Sequence, residues 1–233
     1  MNQNDFIDEL TKIGIELNNT QLERLERYYE LLIEYNKVMN LTGITNKEEV
    51  YLKHYYDSLT LIRIVNLNNY ENLCDIGTGA GFPGIVLKIV FPNLKITLVD
   101  SLNKRINFLN IVIKELGLNN IEALHCRAEE YAKENCNKFD LVTSRAVAAT
   151  NILLEYCIPI VKVNGYFIAM KANIENEPKF DNASKILNCI LEKKCEFLLP
   201  REKSIRTLLL FKKCENTNKR YPRKYSEIKK RPL

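Results

Sequence analysis

Residues 75–84 read Asp75-Ile-Gly-Thr-Gly-Ala-Gly-Phe-Pro-Gly84, and an apolar run leads into them while a second apolar run after them ends in Asp100. Alternating glycines let a backbone adopt positive φ and approach a ligand closely. Pro83 suits the first turn of a following helix, which we predict over 83–91. The segment 95–100 has the pattern of a short buried strand. The order strand, glycine loop, helix, strand and acid is typical of a nucleotide-cofactor site.

Two classes of cofactor fit this unit. The segment 79–84 matches the G-x-G-x-x-G pattern of dinucleotide sites, with Asp100 where a ribose-binding acid is expected. Asp75 and Gly77 extend the pattern to D-x-G-x-G-x-G, which resembles the first motif of the S-adenosyl-L-methionine methyltransferases. In that resemblance Asp100 accepts hydrogen bonds from both ribose hydroxyls. An NAD-type Rossmann oxidoreductase is the alternative, although the chain shows no obvious catalytic His, Tyr or Lys constellation.

The periodicity of the whole chain predicts an α/β fold. Strands are predicted over 72–76, 95–100, 121–126, 139–143 and 165–171, with helices between them. This alternation predicts a parallel, doubly wound sheet with ligands beyond the carboxyl ends of its strands. After a helix predicted over 181–193, strands over 195–199 and 206–211 should pair antiparallel. We therefore expect the Rossmann-like, seven-stranded, mostly parallel sheet of class I methyltransferases, with an antiparallel last strand.

Helical periodicity marks the segments on either side of the glycine loop. Helices are predicted over 5–17 and 20–39, the second with Thr20 as its N-cap. Ser101 is predicted to cap a later helix that ends at Gly117. The predicted organisation is a helical cap over 1–60, a methyltransferase core over 61–213 and a basic tail over 214–233.

Positive charge concentrates at the C-terminus. From residue 212 onward there are nine Lys and Arg against two Glu, a net charge of +7, and since the chain carries +5 the rest carries −2. Basic residues interleaved with Tyr221 and Tyr225 can bind phosphates and stack bases. The tail is therefore predicted to bind RNA, with a solvated, disordered terminus as the other interpretation. We expect deletion of 214–233 to weaken RNA binding and to leave cofactor binding intact.

Composition excludes several other classes of protein. A chain of 233 residues that is 46% hydrophobic can bury one sizeable core. No apolar run approaches the ~20 residues that a membrane span needs, and the polar N-terminus is unlike a signal peptide, so we expect a cytoplasmic protein with no membrane partner. Seven cysteines without C-x-x-C spacing and only two histidines predict reduced thiols and no metal site. A monomer is expected.

Polar residues follow the third and fourth predicted strands. After the third strand comes Arg127-Ala-Glu129, where a backbone N–H and a carboxylate could recognise an adenine edge. After the fourth comes Ser144-Arg-Ala146, between the cofactor crevice and any substrate. A long cation facing that crevice is costly unless it pairs with something, so Arg145 is a candidate functional residue.

Motifs along the whole chain, in order, carry a closer resemblance. They are Asn40-Leu-Thr-x-Ile44, His54-x-x-Asp57-Ser58, the glycine loop, Val99-Asp-Ser-x-x-Lys-Arg105 with Phe108-Leu109, Arg127-Ala-Glu129, Ser144-Arg-Ala146 and Tyr221-Pro-Arg-Lys224. With them the chain resembles the glucose-inhibited division protein B (GidB, RsmG) family, the bacterial 16S rRNA guanine-N7 methyltransferases. The resemblance implies methylation of N7 of guanosine 527, in the 530 loop of 16S rRNA, either as naked rRNA or in the small ribosomal subunit.

The resemblance also implies site residues. Arg145 would order substrate and cofactor, and no general base is expected, because N7 of guanine has an in-plane lone pair and no proton. A noncatalytic rRNA-binding assembly factor remains an alternative. The predicted cofactor-binding residues are Asp75, Gly77, Gly79, Gly81, Phe82, Asp100, Ala128, Glu129 and Arg145. The predicted RNA-binding residues are Lys104, Arg105, Arg220, Arg223 and Lys224.

Overall fold

The computed structural model describes residues 1–233 and contains one sheet of seven strands. The strand order is β3-β2-β1-β4-β5-β7-β6; β1 to β5 are parallel, and β7 runs antiparallel to both β5 and β6. The predicted α/β architecture with an antiparallel end is confirmed. The strands are β1 (Asn72–Ile76), β2 (Lys95–Asp100), β3 (Ile121–His125), β4 (Phe139–Arg145), β5 (Val161–Lys171), β6 (Cys189–Leu198) and β7 (Ile205–Lys213).

Ten α-helices surround the sheet. They are α1 (Gln3–Lys12), α2 (Asn19–Met39), α3 (Lys47–Val50), α4 (Asp57–Leu59), α5 (Gly84–Val90), α6 (Asn103–Glu115), α7 (Ala128–Glu134), α8 (Thr150–Cys157), α9 (Asp181–Ile186) and α10 (Tyr225–Lys230). A π-helix, Tyr51–Tyr56, joins α3 to α4, so that 47–59 is one continuous helical segment.

The helix predicted over 181–193 is wrong in its second half. Helix α9 ends at Ile186, Asn188 takes a positive φ of 58°, and β6 begins at Cys189. Strand β6 pairs with β7 along its whole length, from Cys189 opposite Lys213 to Leu198 opposite Ile205. Pairing with a neighbouring strand has overridden the local helical pattern.

Two predicted helix caps are also wrong. Asn18, not Thr20, caps α2: its side chain accepts from Gln21 N at 2.9 Å, and the Gln21 side chain accepts in return from Asn18 N at 3.0 Å. Before α6, the Asp100 carboxylate accepts from Leu102 N at 2.9 Å, in place of a cap by Ser101.

Two hydrophobic clusters cover the two faces of the sheet. One joins α1, α2 and the π-helix to α5 and α6, and includes Phe6, Leu25, Leu98 and Phe108. The other joins α7, α8 and the C-terminal segment. The first 60 residues thus share a core with the sheet; the predicted domain boundaries stay a prediction.

None of the helices combines the length and apolarity that crossing a membrane requires. All seven cysteines are free thiols. No three His, Cys, Asp or Glu side chains are grouped as metal ligands would be.

Candidate functional site

A cleft of about 980 Å³ lies at the carboxyl ends of the parallel strands. The ends of β1 to β5 border it, and residues from the segment before and within the π-helix close it from the other side. This is the edge where the parallel topology predicts ligands.

The glycine loop is held in place by backbone bonds and by a buried carboxylate. Gly77 N and Thr78 N donate to Val99 O at 2.8 and 3.2 Å. Asp75 is fully buried, and its Oδ2 accepts from Thr78 Oγ1 at 2.7 Å and from Gly84 N at 2.9 Å. Burial raises the pKa of Asp75 to about 6, an effect that both donors oppose. Asp75 does not border the cleft, so it supports the loop from the side that faces the protein interior.

Gly79 and Gly81 both have positive φ, 62° and 102°, but their surroundings differ. A Cβ at Gly79 would meet nothing within 4 Å, where the residue borders the cleft. A Cβ at Gly81 would lie 2.6 Å from Ile85 Cγ1 and 2.7 Å from the Tyr28 hydroxyl oxygen. Gly79 therefore leaves room for a ligand, whereas Gly81 leaves room for the protein's own packing.

These surroundings predict that alanine at Gly81 mainly lowers stability, whereas alanine at Gly79 mainly weakens cofactor binding. Gly81→Ala should lower the free energy of unfolding by about 3 kcal/mol, through steric overlap and left-handed strain. Gly79→Ala should cost only about 1 kcal/mol from strain, yet weaken cofactor binding at least about tenfold, because its methyl group enters the cleft. Urea denaturation and calorimetric titration would measure both, and equal stability losses would contradict the assignment.

Asp100 closes β2 at the edge of the cleft. Its Oδ2 accepts from Gly79 N at 2.9 Å and from Arg105 Nη1 at 3.1 Å, and its Oδ1 accepts from Leu102 N at 2.9 Å. Arg105 Nη1 also lies 3.4 Å from Oδ1, so all four acceptor positions of the carboxylate have a donor nearby, and a ligand hydroxyl would replace this long contact. Asp100 is thereby fixed against the glycine loop in a single orientation.

Beyond β3, Glu129 is buried at the cleft wall. Its carboxylate receives no hydrogen bond within the protein, and the Arg127 guanidinium is 4.0 Å away. Ala128 begins α7, where first-turn N–H groups lack intrahelical partners. An acceptor and a backbone donor are thus available side by side.

Arg145, at the end of β4, is the centre of a polar network. Its Nη1 donates to Asp57 Oδ2 and to Lys53 O, both at 2.9 Å. Arg206 Nε, from β7, donates to the other oxygen, Oδ1, of Asp57 at 2.9 Å. Asp57 is buried and clamped between two arginines, which fixes Arg145 across the cleft.

His54 completes this network as a neutral side chain. Its Nδ1 lies 3.3 Å from Arg145 Nη2, and its Nε2 lies 3.0 Å from Thr42 Oγ1. Nδ1 also lies 3.3 Å from Lys53 O, so the tautomer protonated at Nε2 accepts from Arg145, and the tautomer protonated at Nδ1 donates to Lys53 O. Burial, and secondarily the Arg145 charge, lower the pKa of His54 to about 3. The ring stacks on Phe82 with centroids 4.3 Å apart.

The five predicted RNA-binding residues are dispersed. Lys104 Nζ donates to Met39 O at 2.7 Å, and Arg105 pairs with Asp100. Arg220 lies over the ring of Tyr221, and Arg223 pairs with Glu155 inside the fold. Lys224 is exposed and has no ion pair. Contacts of these five residues with RNA stay a prediction.

Several residues that border the cleft had no role predicted from the sequence. Thr42, His54 and Asp57 belong to the motifs at 40–44 and 54–58, and the i, i+3 spacing of the last two indicates a shared helical face. Arg206 also borders the cleft, as does Tyr225, which was predicted to stack RNA bases. No local pattern distinguished Arg206, because its partner Asp57 is 149 positions away.

The residues present fit S-adenosyl-L-methionine. Glu129 and Ala128 offer an acceptor and a donor for an adenine edge, and Asp100 offers an acceptor for ribose hydroxyls. The open space at Gly79 admits a ligand close to the backbone. The Asp100 carboxylate lies against the loop, accepting from Gly79 N at 2.9 Å, and places a negative charge where the pyrophosphate of a dinucleotide would bind.

The chain matches a family model described as rRNA small subunit methyltransferase G (GidB) over residues 21–205. The ribosomal RNA small subunit methyltransferase G of Lachnoclostridium phytofermentans is 51% identical over 233 residues, covering 98% of this chain and 96% of its own.

Solved methyltransferase structures share the fold at low identity. A precorrin-6y C5,15-methyltransferase from Geobacter metallireducens superposes with a TM-score of 0.52 at 14% identity, covering 72% of this chain and 90% of the other. A SAM dependent methyltransferase from Aquifex aeolicus gives 0.50 at 17% identity, covering 71% and 93%. These likenesses show a Rossmann-like methyltransferase fold.

Proposed function

Because the chain belongs to the rRNA small subunit methyltransferase G (GidB) family, we propose that it transfers the methyl group of S-adenosyl-L-methionine to N7 of guanosine 527, in the 530 loop of 16S rRNA. One observation carries the proposal: motifs scattered along the chain converge on a single cleft. The glycine loop, Asp100, Glu129 and Arg145 all border it. We also propose that the reaction takes place in the cytoplasm.

The chemistry needs positioning more than proton transfer. When bound, S-adenosyl-L-methionine supplies an electrophilic methyl group, and N7 of guanine already presents a lone pair without a proton. His54, with its pKa lowered to about 3 by burial and by Arg145, is a poor base, and its ring contacts Arg145 through Nδ1. Rate enhancement would come from holding the reactants in line, which can contribute ~7 to 11 kcal/mol.

Arg145 is the residue best placed to orient the base. Its Nη1 donates to Asp57 and to Lys53 O, and its Nη2 contacts His54. Its guanidinium lies 5.4 Å from the centroid of the Phe82 ring. A cation so fixed can hydrogen-bond O6 of guanine, the acceptor beside N7. It leaves N7 itself free to react.

The shape of RNA restricts the substrate. In an A-form helix N7 faces a deep, narrow major groove that side chains cannot enter, so the target base must lie in a loop or leave its stack. The basic residues of the C-terminal segment would attract phosphates beside the cleft.

The proposal is tested by incubating the protein with methyl-labelled S-adenosyl-L-methionine and either unmodified 16S rRNA or small ribosomal subunits. Nucleoside digestion and mass spectrometry should reveal labelled 7-methylguanosine from at least one substrate, and Arg145→Ala should reduce its formation. Binding of cofactor and RNA without methyl transfer to either substrate would favour the noncatalytic assembly factor. Label in any other nucleoside would overturn the N7 assignment.

A further inference from the structure

The C-terminal segment is fixed to helix α8 rather than extended into solvent. Arg223 Nε and Nη2 donate to the two oxygens of Glu155 at 2.8 and 2.6 Å, and the Arg223 backbone N donates to Glu155 Oε1 at 2.9 Å. Glu155 and Ile228 are both fully buried. Asn151 Nδ2 donates to Leu233 O at 3.1 Å, so the segment is attached up to its last residue.

This attachment presents the ring of Tyr225 to the cleft. Tyr225 follows Arg223 by two residues, borders the cleft and is 43% exposed. The Arg127 guanidinium lies 5.1 Å from the ring centroid, and the ammonium of the exposed Lys229 lies 5.9 Å from it. An aromatic ring that is held firmly yet left open is suited to stacking against a planar ligand.

The strand order indicates which ligand the ring serves. Arg127, the neighbour of Tyr225, follows β3 at one end of the sheet, and β3 pairs with β2, where His125 lies opposite Asp100. Arg145 is the last residue of β4, which lies on the other side of β1. Tyr225 therefore lies on the Asp100 side of the cleft, away from the arginine assigned to the substrate base.

We propose that Tyr225 forms the outer wall of the adenine site, so that the C-terminal segment is part of the cofactor site. The inference rests on the proposed function, since the purine it stacks belongs to the cofactor. The adenine would lie against the ring beside Ala128 and Glu129. The side chain of the exposed Lys229 can move away from the ring to admit it, at little cost in free energy.

The inference changes the expectation for a truncated chain. Removing 214–233 would delete Tyr225 from the cleft and leave the buried Glu155 carboxylate without its cation. Such a truncation should weaken cofactor binding as well as RNA binding, and it cannot separate the two. Point substitutions at the exposed ring avoid this difficulty.

The test is calorimetric titration with two ligands, S-adenosylhomocysteine and 5′-methylthioadenosine, which share the adenosine group. Tyr225→Ala and Tyr225→Leu should raise the Kd for each by about 5- to 150-fold, the range for loss of base stacking. The factor should be the same for both ligands, because the ring acts on the base alone. Tyr225→Phe should stay within about twofold, and so should Lys230→Ala, which removes a charge from the same helix.

Each result has a distinct meaning. Unchanged affinity in Tyr225→Ala, with normal binding by the unsubstituted chain, would overturn the inference and leave the proposed function intact. A loss confined to rRNA in filter binding would assign the ring to the RNA surface and also overturn it. No binding of either ligand by the unsubstituted chain would overturn the proposed function, and the inference with it. Thermal unfolding should be unchanged in all four variants, since the ring and Lys230 are exposed.

Discussion

Arg223→Ala is expected to lower the free energy of unfolding by about 3 to 5 kcal/mol, the usual effect of removing one partner from a buried ion pair. Glu155 has no exposed surface, and the Arg223 side chain is only 16% exposed, so water cannot replace the lost guanidinium. Urea denaturation would measure the loss. Its size follows from leaving a carboxylate unpaired in the core between α8 and the C-terminal segment.

Two control variants separate the charge from general effects of substitution. Lys224→Ala removes the adjacent exposed cation and should change stability by no more than about 0.5 kcal/mol. Glu155→Gln combined with Arg223→Ala should recover part of the loss, because a neutral amide oxygen can still accept from the backbone N–H of residue 223. A double variant as unstable as Arg223→Ala would attribute the loss to side-chain packing.

This ion pair illustrates what the sequence could and could not predict. The basic composition of 214–233 was visible, but its attachment was not, because Arg223 and Glu155 are 68 positions apart and neither lies in a pattern that indicates a partner. Exposed and buried arginines look alike in a sequence. Arg223 was predicted to contact RNA, which stays a prediction, and its ion pair with Glu155 shows that it also holds the segment to the fold.

Local patterns were more informative around the glycine loop. Strands β1 and β2 have the predicted bounds, because each is a short apolar run between turns. The position of Arg145 at a strand end also followed from the alternation of elements. The pattern could not show which way a side chain points. Asp75 was predicted to bind cofactor, and its carboxylate accepts from Thr78 and Gly84 of the loop and does not border the cleft.

The network around Arg145 shows the same limit at longer range. Arg145 and Asp57 are 88 positions apart, and Asp57 and Arg206 are 149 apart. The π-helix places Asp57 and His54 against the end of β4 only because α1 and α2 pack it onto the sheet. Only the folded chain shows that these motifs belong to one site.

Asp57→Asn should therefore reduce the single-turnover rate of methyl transfer by about 100-fold, a loss typical of a reacting group displaced by about 1 Å. Asp57 Oδ1 and Oδ2 each accept from an arginine, and an amide can offer only one of the two a hydrogen-bond acceptor. Arg145 would lose part of its fixed orientation. The Kd for S-adenosylhomocysteine should change far less than the rate, because Asp100 and the glycine loop keep their contacts.

Asp140→Asn is the matched control for this substitution. Asp140 accepts from Glu71 N at 3.1 Å, from Asn72 N at 3.2 Å and from Lys162 Nζ at 2.6 Å, and it lies near the amino ends of the strands, away from the cleft. Its substitution should cost stability and leave the rate unchanged when both variants are assayed well below their Tm. An equal fall in rate in both variants would show that general destabilisation, and not the orientation of Arg145, limits methyl transfer. A normal rate in Asp57→Asn would show that Arg145 acts without the carboxylate that clamps it.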